Sequence, residues 1–138
     1  MSGLAALHLI ILGLWGGVVA VETVFEVAGA RGRLPAEAVA RLHVWTDRYL
    51  ELPILAGVLS TGLLLWERSG WSRELLPKIL LGLVAIGANL VCFSLVERRG
   101  AAAAPTRSHT TAILVVAMPG VLAAVGAVYL GGSRAGWW

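Results

Sequence analysis

Charged residues are scarce in this sequence. Asp, Glu, Lys and Arg make up 14% of its 138 residues, whereas soluble globular domains carry roughly 25%. Hydrophobic residues make up 58% of the chain, and its mean hydropathy is +0.82. So little charge cannot cover the surface of a domain in water. The composition therefore excludes an ordinary soluble protein and indicates that a lipid bilayer is the solvent.

Cysteine and early basic residues are also missing. The single cysteine, Cys92, excludes a disulfide within the chain and a metal site of clustered thiolates. No Lys or Arg precedes the first apolar stretch, although 28–30 (Ala-Gly-Ala) resembles a signal cleavage pattern. A secretory signal has a basic start and a shorter apolar run, so we expect this stretch to be a retained helix. The small net charge of +3 comes from loop arginines and predicts no nucleic-acid partner.

Four long apolar stretches fill most of the chain. They are predicted to be membrane-spanning helices at about 4–28, 35–66, 75–97 and 108–131, since about 20 apolar residues cross the hydrocarbon core. Short connections favour antiparallel neighbours. The expected fold is an all-α integral membrane protein, a four-transmembrane-helix antiparallel up-down-up-down bundle that forms one domain over 1–138. Pro53 and Pro119 fall inside the second and fourth stretches, where we expect kinks.

Basic residues are distributed unequally between the two ends of such a bundle. The end reached after the first span, here called the arginine-rich face, carries seven: Arg31, Arg33, Arg41, Arg48, Arg98, Arg99 and Arg107. The end with both termini, here called the terminal face, carries four: Arg68, Arg73, Lys78 and Arg134. The positive-inside rule then predicts a cytoplasmic arginine-rich face with both termini outside, in a bacterial-type inner membrane.

Acidic residues occur where hydropathy predicts none. Four of the eight, Glu22, Glu26, Asp47 and Glu51, lie within the apolar stretches 4–28 and 42–66, and a charge at the bilayer centre costs about 3 kcal/mol on insertion scales. Glu22 and Glu26 are four residues apart on the first helix, and His43, Asp47 and Glu51 form a ladder of four-residue steps on the second. Both polar stripes lie in the half of the membrane next to the arginine-rich face, so we expect them to meet.

The helical rise of about 1.5 Å per residue orders these groups by depth. A shallow layer holds Glu26, His43 and, from the fourth helix, His109; a middle layer holds Glu22 and Asp47; a deeper layer holds Glu51 and Asn89. The alternative is that the shallow groups are structural and pair with Arg41, Arg48 or Arg107, or reach lipid headgroups. Six residues are predicted to be metal ligands: Glu22, Glu26, His43, Asp47, Glu51 and His109.

This set of side chains is similar to the ligands of dinuclear carboxylate sites in four-helix bundles, which bind two iron or manganese ions. The similarity is one of ligand type, because the Glu-x-x-His motif of those soluble proteins is absent. Nitrogen and carboxylate ligands suit Fe, Mn or Zn. We therefore expect a membrane metalloprotein with one or two transition-metal ions. Its activity would be that of a redox protein or oxidoreductase, with oxygen, nitric oxide or a quinone as partner, or else metal sensing or storage.

Two other functions stay open at this point. Ladders of His, Asp and Glu also suit a divalent-cation or proton transporter or channel subunit, although four helices would then need a homo-oligomer or a membrane complex. A third hypothesis is haem b, with His43 and His109 as axial ligands at similar depth. Four acids beside the haem plane would be an unusual environment, which ranks this hypothesis last.

Overall fold

The computed structural model describes residues 2–70, 72–73, 75–101 and 107–134, apart from the side chains of 107–109 and 133–134. Over these ranges the chain is almost entirely helical and has no strand. Five α-helices and one π turn follow each other: α1 (Gly3–Ala30), α2 (Ala36–Thr46), the π turn (Asp47–Glu51), α3 (Leu52–Ser69), α4 (Leu76–Gly100) and α5 (Arg107–Arg134).

Four helical stretches are long and apolar enough to cross a membrane. In chain order these spans are Gly3–Ala30, Ala36–Ser69, Leu76–Gly100 and Thr110–Gly132, and the second joins α2, the π turn and α3. Large apolar side chains are exposed along all of them, for example Ile10, Leu63 and Leu122, as expected for a surface that faces lipid. The predicted four-helix integral membrane bundle is confirmed, with span ends within a few residues of those expected.

The spans pack mainly on their neighbours in sequence. Helix α1 packs along α3 and against α2, α2 packs against α4, and the most extensive packing joins α4 to α5. Helices α1 and α5 touch each other at few places. The first and last spans are therefore joined only loosely.

A small apolar core holds the middle of the bundle together. It contains Trp15, Leu55, Val58, Ala85 and Ala123, so every span contributes at least one buried side chain. Burying each large apolar side chain stabilises the bundle through close packing, since lipid offers no hydrophobic driving force between helices. This core separates the polar cluster described below from the terminal face.

The π turn in the second span was not predicted from the sequence, which indicated only a kink at Pro53. Pro53 lies at the start of α3, directly after the turn. Proline has no N–H to donate, so the preceding turn is free to widen. In an α-helix, steps of four residues drift by about 40° around the axis. The wider π turn rotates Glu51 in the opposite direction relative to Asp47. His43, Asp47 and Glu51 therefore stay on one face of the span, and all three are buried.

Helix α5 approaches α4 most closely at Gly120. A Cβ built at Gly120 would lie 2.8 Å from the Cβ of Ala88, whereas one built at Gly87 would meet nothing within 4 Å. We expect Gly120→Ala to lower the free energy of unfolding in detergent by about 1–3 kcal/mol, because the added methyl group forces the two helices apart. Gly87→Ala is the matched control and should leave stability unchanged or slightly raised. Equal thermal stability of the two variants would contradict this packing.

Candidate metal centre

The polar stripes of the first two spans meet inside the bundle. Glu22 and Glu26 of α1 lie against His43 of α2 and against Asp47 and Glu51 of the π turn. All five residues are at least 95% buried, which is rare for ionisable groups. In lipid, ionisable groups that are buried in this way need specific hydrogen-bond or ion-pair partners.

Glu26 is the anchor of the cluster and forms a bidentate ion pair with Arg99 of α4. Arg99 Nη1 donates to Glu26 Oε2 at 2.7 Å, and Arg99 Nη2 lies 2.5 Å from Glu26 Oε1. Glu26 is 1% exposed and Arg99 is 2% exposed. A carboxylate held in this way by a buried guanidinium is ionised and acts only as a hydrogen-bond acceptor.

That acceptor decides which nitrogen of His43 carries the proton. His43 Nδ1 lies 2.5 Å from Glu26 Oε1, so Nδ1 is the donor, since Glu26 has no proton to give. Arg99 Nη2 also lies 3.2 Å from Nδ1, and both nitrogens point their protons at the same carboxylate. When the ring is neutral, its lone pair is therefore on Nε2. A carboxylate that fixes a histidine in this way is typical of the histidines that bind metals.

The free Nε2 of His43 faces two further carboxylates. It lies 3.7 Å from Glu22 Oε2 and 3.7 Å from Asp47 Oδ1. Both distances are too long for a hydrogen bond. The second oxygens of the two carboxylates, Glu22 Oε1 and Asp47 Oδ2, are buried and have no hydrogen-bond partner among the described residues. These three side chains therefore converge without satisfying one another.

Glu51 is held separately, one turn deeper. Its Oε1 accepts hydrogen bonds from Trp15 Nε1 at 2.9 Å and from Asn89 Nδ2 at 2.5 Å. Glu51 and Asp47 are both buried in the π turn, four residues apart. The deeper layer is thus a junction of spans 1, 2 and 3, and Asn89 joins helices there as membrane amides often do.

The cluster as a whole carries more negative than positive charge. Among the described buried residues, four carboxylates face one guanidinium, which is a formal charge of −3 when all are ionised and His43 is neutral. In a medium of low dielectric constant such an excess must be offset by protons or by a cation. A divalent cation would leave a single negative charge.

The ligand atoms of Glu22, His43 and Asp47 fit a small divalent ion. They all lie within 4.8 Å of one another. Metal–ligand bonds of about 2.0–2.2 Å around one tetrahedral ion place ligand atoms roughly 3.3–3.6 Å apart, so shifts of up to about 1 Å would close the site. Nε2 of His43, Glu22 Oε2 and Asp47 Oδ1 are the atoms best placed to bind such an ion, since each of the two oxygens lies 3.7 Å from Nε2. This buried group of residues could hold a metal ion.

The six predicted ligands therefore have different surroundings. Glu22, His43 and Asp47 converge, Glu26 orients His43 from the other side of the ring, and Glu51 is bound by Trp15 and Asn89. The side chain of His109 lies outside the described residues.

The alternative pairing of the shallow layer with Arg48 is not found. Arg48 pairs instead with Glu97 at the surface, where Nη2 lies 2.6 Å from Oε2, and the side chain of Arg107 lies outside the described residues. The buried arginine is Arg99, which reasoning from the sequence missed along with Trp15. Helical spacing carried a signal only for Trp15, which precedes Glu22 by seven residues on one face of α1. Arg99 is ten residues from Asn89, about 80° around α4.

Removing Arg99 should be far more damaging than removing an exposed arginine. We expect Arg99→Met to lower the free energy of unfolding by about 3–5 kcal/mol, because it leaves Glu26 buried and uncompensated. The double variant Arg99→Met/Glu26→Gln should recover much of that loss. Arg48→Met is the control and should change stability little, since its ion pair is exposed. Thermal unfolding in detergent measures all three, and equal losses for Arg99→Met and Arg48→Met would refute the assignment.

Comparison with protein-family models, with curated proteins and with solved structures finds no match for this chain. Its function has to be inferred from the arrangement of the buried groups in the bundle.

Proposed function

We propose that the protein is an integral membrane metalloprotein that binds one transition-metal ion, of the Fe, Mn or Zn type, through Glu22, His43 and Asp47. One observation carries the proposal: an imidazole nitrogen and two carboxylates converge in the membrane interior, while two of the carboxylate oxygens have no hydrogen-bond partner among the described residues. Nitrogen and oxygen donors in this ratio suit these metals. A buried group of this kind is costly in lipid unless it binds something.

Other residues would support the ion without contacting it. Glu26 and Arg99 hold the His43 ring so that Nε2 points at the two carboxylates. Trp15 and Asn89 keep Glu51 beside Asp47, where it adds negative charge near the ion. Such surrounding contacts typically change metal affinity by 10- to 100-fold when they are removed.

Three protein ligands leave coordination positions open, which is typical of catalytic rather than structural metal sites. A bound iron or manganese ion would supply one-electron redox chemistry, and zinc would supply Lewis-acid chemistry. The ligands lie on the wall of a cavity of about 660 Å³, so a small molecule can reach them. This accessibility supports an oxidoreductase over metal storage.

Transport is supported less well by the packing. On the terminal side of the cluster, His8 Nδ1 lies 2.7 Å from Thr61 Oγ1, which is a second polar contact within the bundle. Leu55 and Val58 lie between Glu51 and Thr61 along the second span and are buried in the apolar core. A continuous ion path would have to cross that apolar layer. The haem hypothesis stays a prediction, because it depends on His109.

Metal analysis of the purified protein tests the proposal. We expect about one Fe, Mn or Zn ion per chain, and the ion should be lost in Asp47→Asn and in Glu22→Gln because each removes a charged ligand. His8→Ala is the control and should retain the metal, since His8 contacts Thr61 and not the cluster. Elemental analysis of folded protein in detergent measures this. No stoichiometric metal, or equal metal in Asp47→Asn and in the parent, would exclude the metal centre, and a Soret band would favour haem.

The orientation of the protein is part of the proposal. The excess of arginine on the arginine-rich face supports a cytoplasmic position for that face, and for the nearby cluster, in a bacterial-type inner membrane. Both termini would then be outside.

Cysteine labelling tests this orientation. In a Cys92→Ser background, Ser72→Cys on the terminal face should react with a membrane-impermeant thiol reagent on intact spheroplasts. Glu37→Cys, at the start of α2 on the arginine-rich face, should react only after lysis, because the bilayer shields it. The reverse pattern would show that the protein has the opposite orientation.

A further inference from the structure

A second cavity lies at the arginine-rich face, and no residue of the polar cluster lines it. It is formed by α2, the π turn and the end of α4, and its polar lining consists of Arg41, Trp45, Arg48, Tyr49 and Glu97. Its volume is about 430 Å³, within the range of small-molecule sites, about 300–1,000 Å³. Trp and Tyr are typical of the membrane interface, and Gly100, which also lines the cavity, ends the third span. The cavity therefore lies at the depth of the lipid headgroups, and it is called the interfacial pocket below.

The side chains of the interfacial pocket can be reached from outside the protein. The side chain of Arg48 is 54% exposed. Trp45 and Tyr49 are also exposed, and their ring centroids are 5.7 Å apart. Arg41 is exposed as well, and it forms no hydrogen bond or ion pair with another of the described residues. A ligand can therefore contact all four side chains without rearrangement of the bundle.

Hydrogen-bond donors outnumber acceptors among these side chains. Arg48 Nε donates to Glu97 Oε1 at 2.8 Å, and Arg48 Nη2 donates to Glu97 Oε2 at 2.6 Å. This ion pair engages both oxygens of Glu97 and does not use Arg48 Nη1. Arg41 adds a second guanidinium, and Trp45 and Tyr49 add an N–H and an O–H. Two guanidiniums and one carboxylate give the lining a formal charge of +1, so the ligand that complements the pocket is an anion with several acceptor oxygens.

The phosphate of a phospholipid has these properties. A phosphodiester carries one negative charge, and guanidinium groups bind phosphate oxygens through charge-assisted hydrogen bonds. Basic pockets between membrane helices bind phospholipid headgroups in this way. The C-terminal end of α4 contributes a partial negative charge nearby. Arg98 in the last turn offsets that charge, whereas Arg99 is paired with Glu26.

An apolar surface continues from the interfacial pocket into the membrane. The second span packs on α4 through α2, whereas α3 has little contact with α4. The two spans therefore diverge below the pocket and leave part of α4 uncovered. Leu90 lies seven residues before Glu97, hence on the same face of α4 and about 10 Å deeper, and it is 47% exposed. An acyl chain that starts at the pocket can lie along this face, which favours a lipid over a soluble phosphate.

We propose that the interfacial pocket binds the headgroup of one anionic phospholipid, with its phosphate between Arg41 and Arg48 and an acyl chain along α4. Arg41 supplies the uncompensated charge, and Arg48 can donate from Nη1 while it stays paired with Glu97. Such a lipid would connect the π turn, which contains Asp47, to the end of α4, which contains Arg99. The inference does not depend on the metal centre, because none of Glu22, His43 and Asp47 lines this pocket.

Titration of the delipidated full-length protein with single lipids tests the inference, and native mass spectrometry from detergent counts the bound lipid. Phosphatidylglycerol should bind at least about fivefold more tightly than phosphatidylcholine with the same acyl chains, because choline cancels the charge of the phosphate. Equal affinities would overturn the inference. Tighter binding of phosphatidylcholine would also overturn it, in favour of a choline group held by Trp45 and Tyr49. Inorganic phosphate should displace phosphatidylglycerol no better than chloride of equal ionic strength does, and specific displacement by phosphate would show a site for soluble anions instead.

A matched pair of arginines separates this site from general attraction between the basic face and anionic lipid. Arg41 and Arg33 are both exposed on the arginine-rich face, but only Arg41 lines the interfacial pocket. Arg41→Gln should weaken binding of phosphatidylglycerol at least about fivefold, whereas Arg33→Gln should weaken it about twofold at most, since salt screens a distant exposed charge. Both variants should unfold at the parent temperature without lipid, because neither exposed arginine is part of the packed interior. Equal weakening in the two variants would overturn the inference.

Discussion

The ion pair between Glu26 and Arg99 is the contact on which the rest of the site depends. It connects the first span to the third, and both side chains are almost completely buried. In lipid neither charge has an alternative partner of comparable strength, because water is excluded and every unpaired charge is costly. The pair also fixes His43, since an ionised Glu26 requires the proton of the ring to be on Nδ1. The availability of Nε2 as a metal ligand therefore depends on a contact at the opposite edge of the imidazole.

The π turn is the second constraint, and it acts through the direction of side chains. In an unbroken α-helix the third residue of the ladder would rotate away from the first by twice the drift of a four-residue step. The wider turn before Pro53 brings Glu51 back toward Trp15 and Asn89 while Asp47 stays beside His43. Local widening of helices is frequent at functional sites for this reason, since it repositions side chains without ending the helix.

The interior of the bundle has two parts, an apolar core and the polar cluster. The core around Trp15, Leu55 and Ala85 joins all four spans, whereas the gap between α1 and α5 leaves the cavity that reaches the cluster. Trp15 belongs to both parts, because its ring packs in the core and its Nε1 donates to Glu51.

The sequence alone determined the features that follow from helical periodicity and hydropathy. The four spans were predictable because apolar length is what a bilayer requires. The stripes of Glu22 with Glu26, and of His43 with Asp47 and Glu51, were predictable because residues four apart share a helix face. The tertiary structure decided how those faces are rotated toward each other, and hence that Arg99 rather than Arg48 pairs with the cluster. Seven arginines near one face look equivalent in a linear sequence. Contacts between helices distinguish them, and the same contacts create the cavity beside the cluster, which no local pattern encodes.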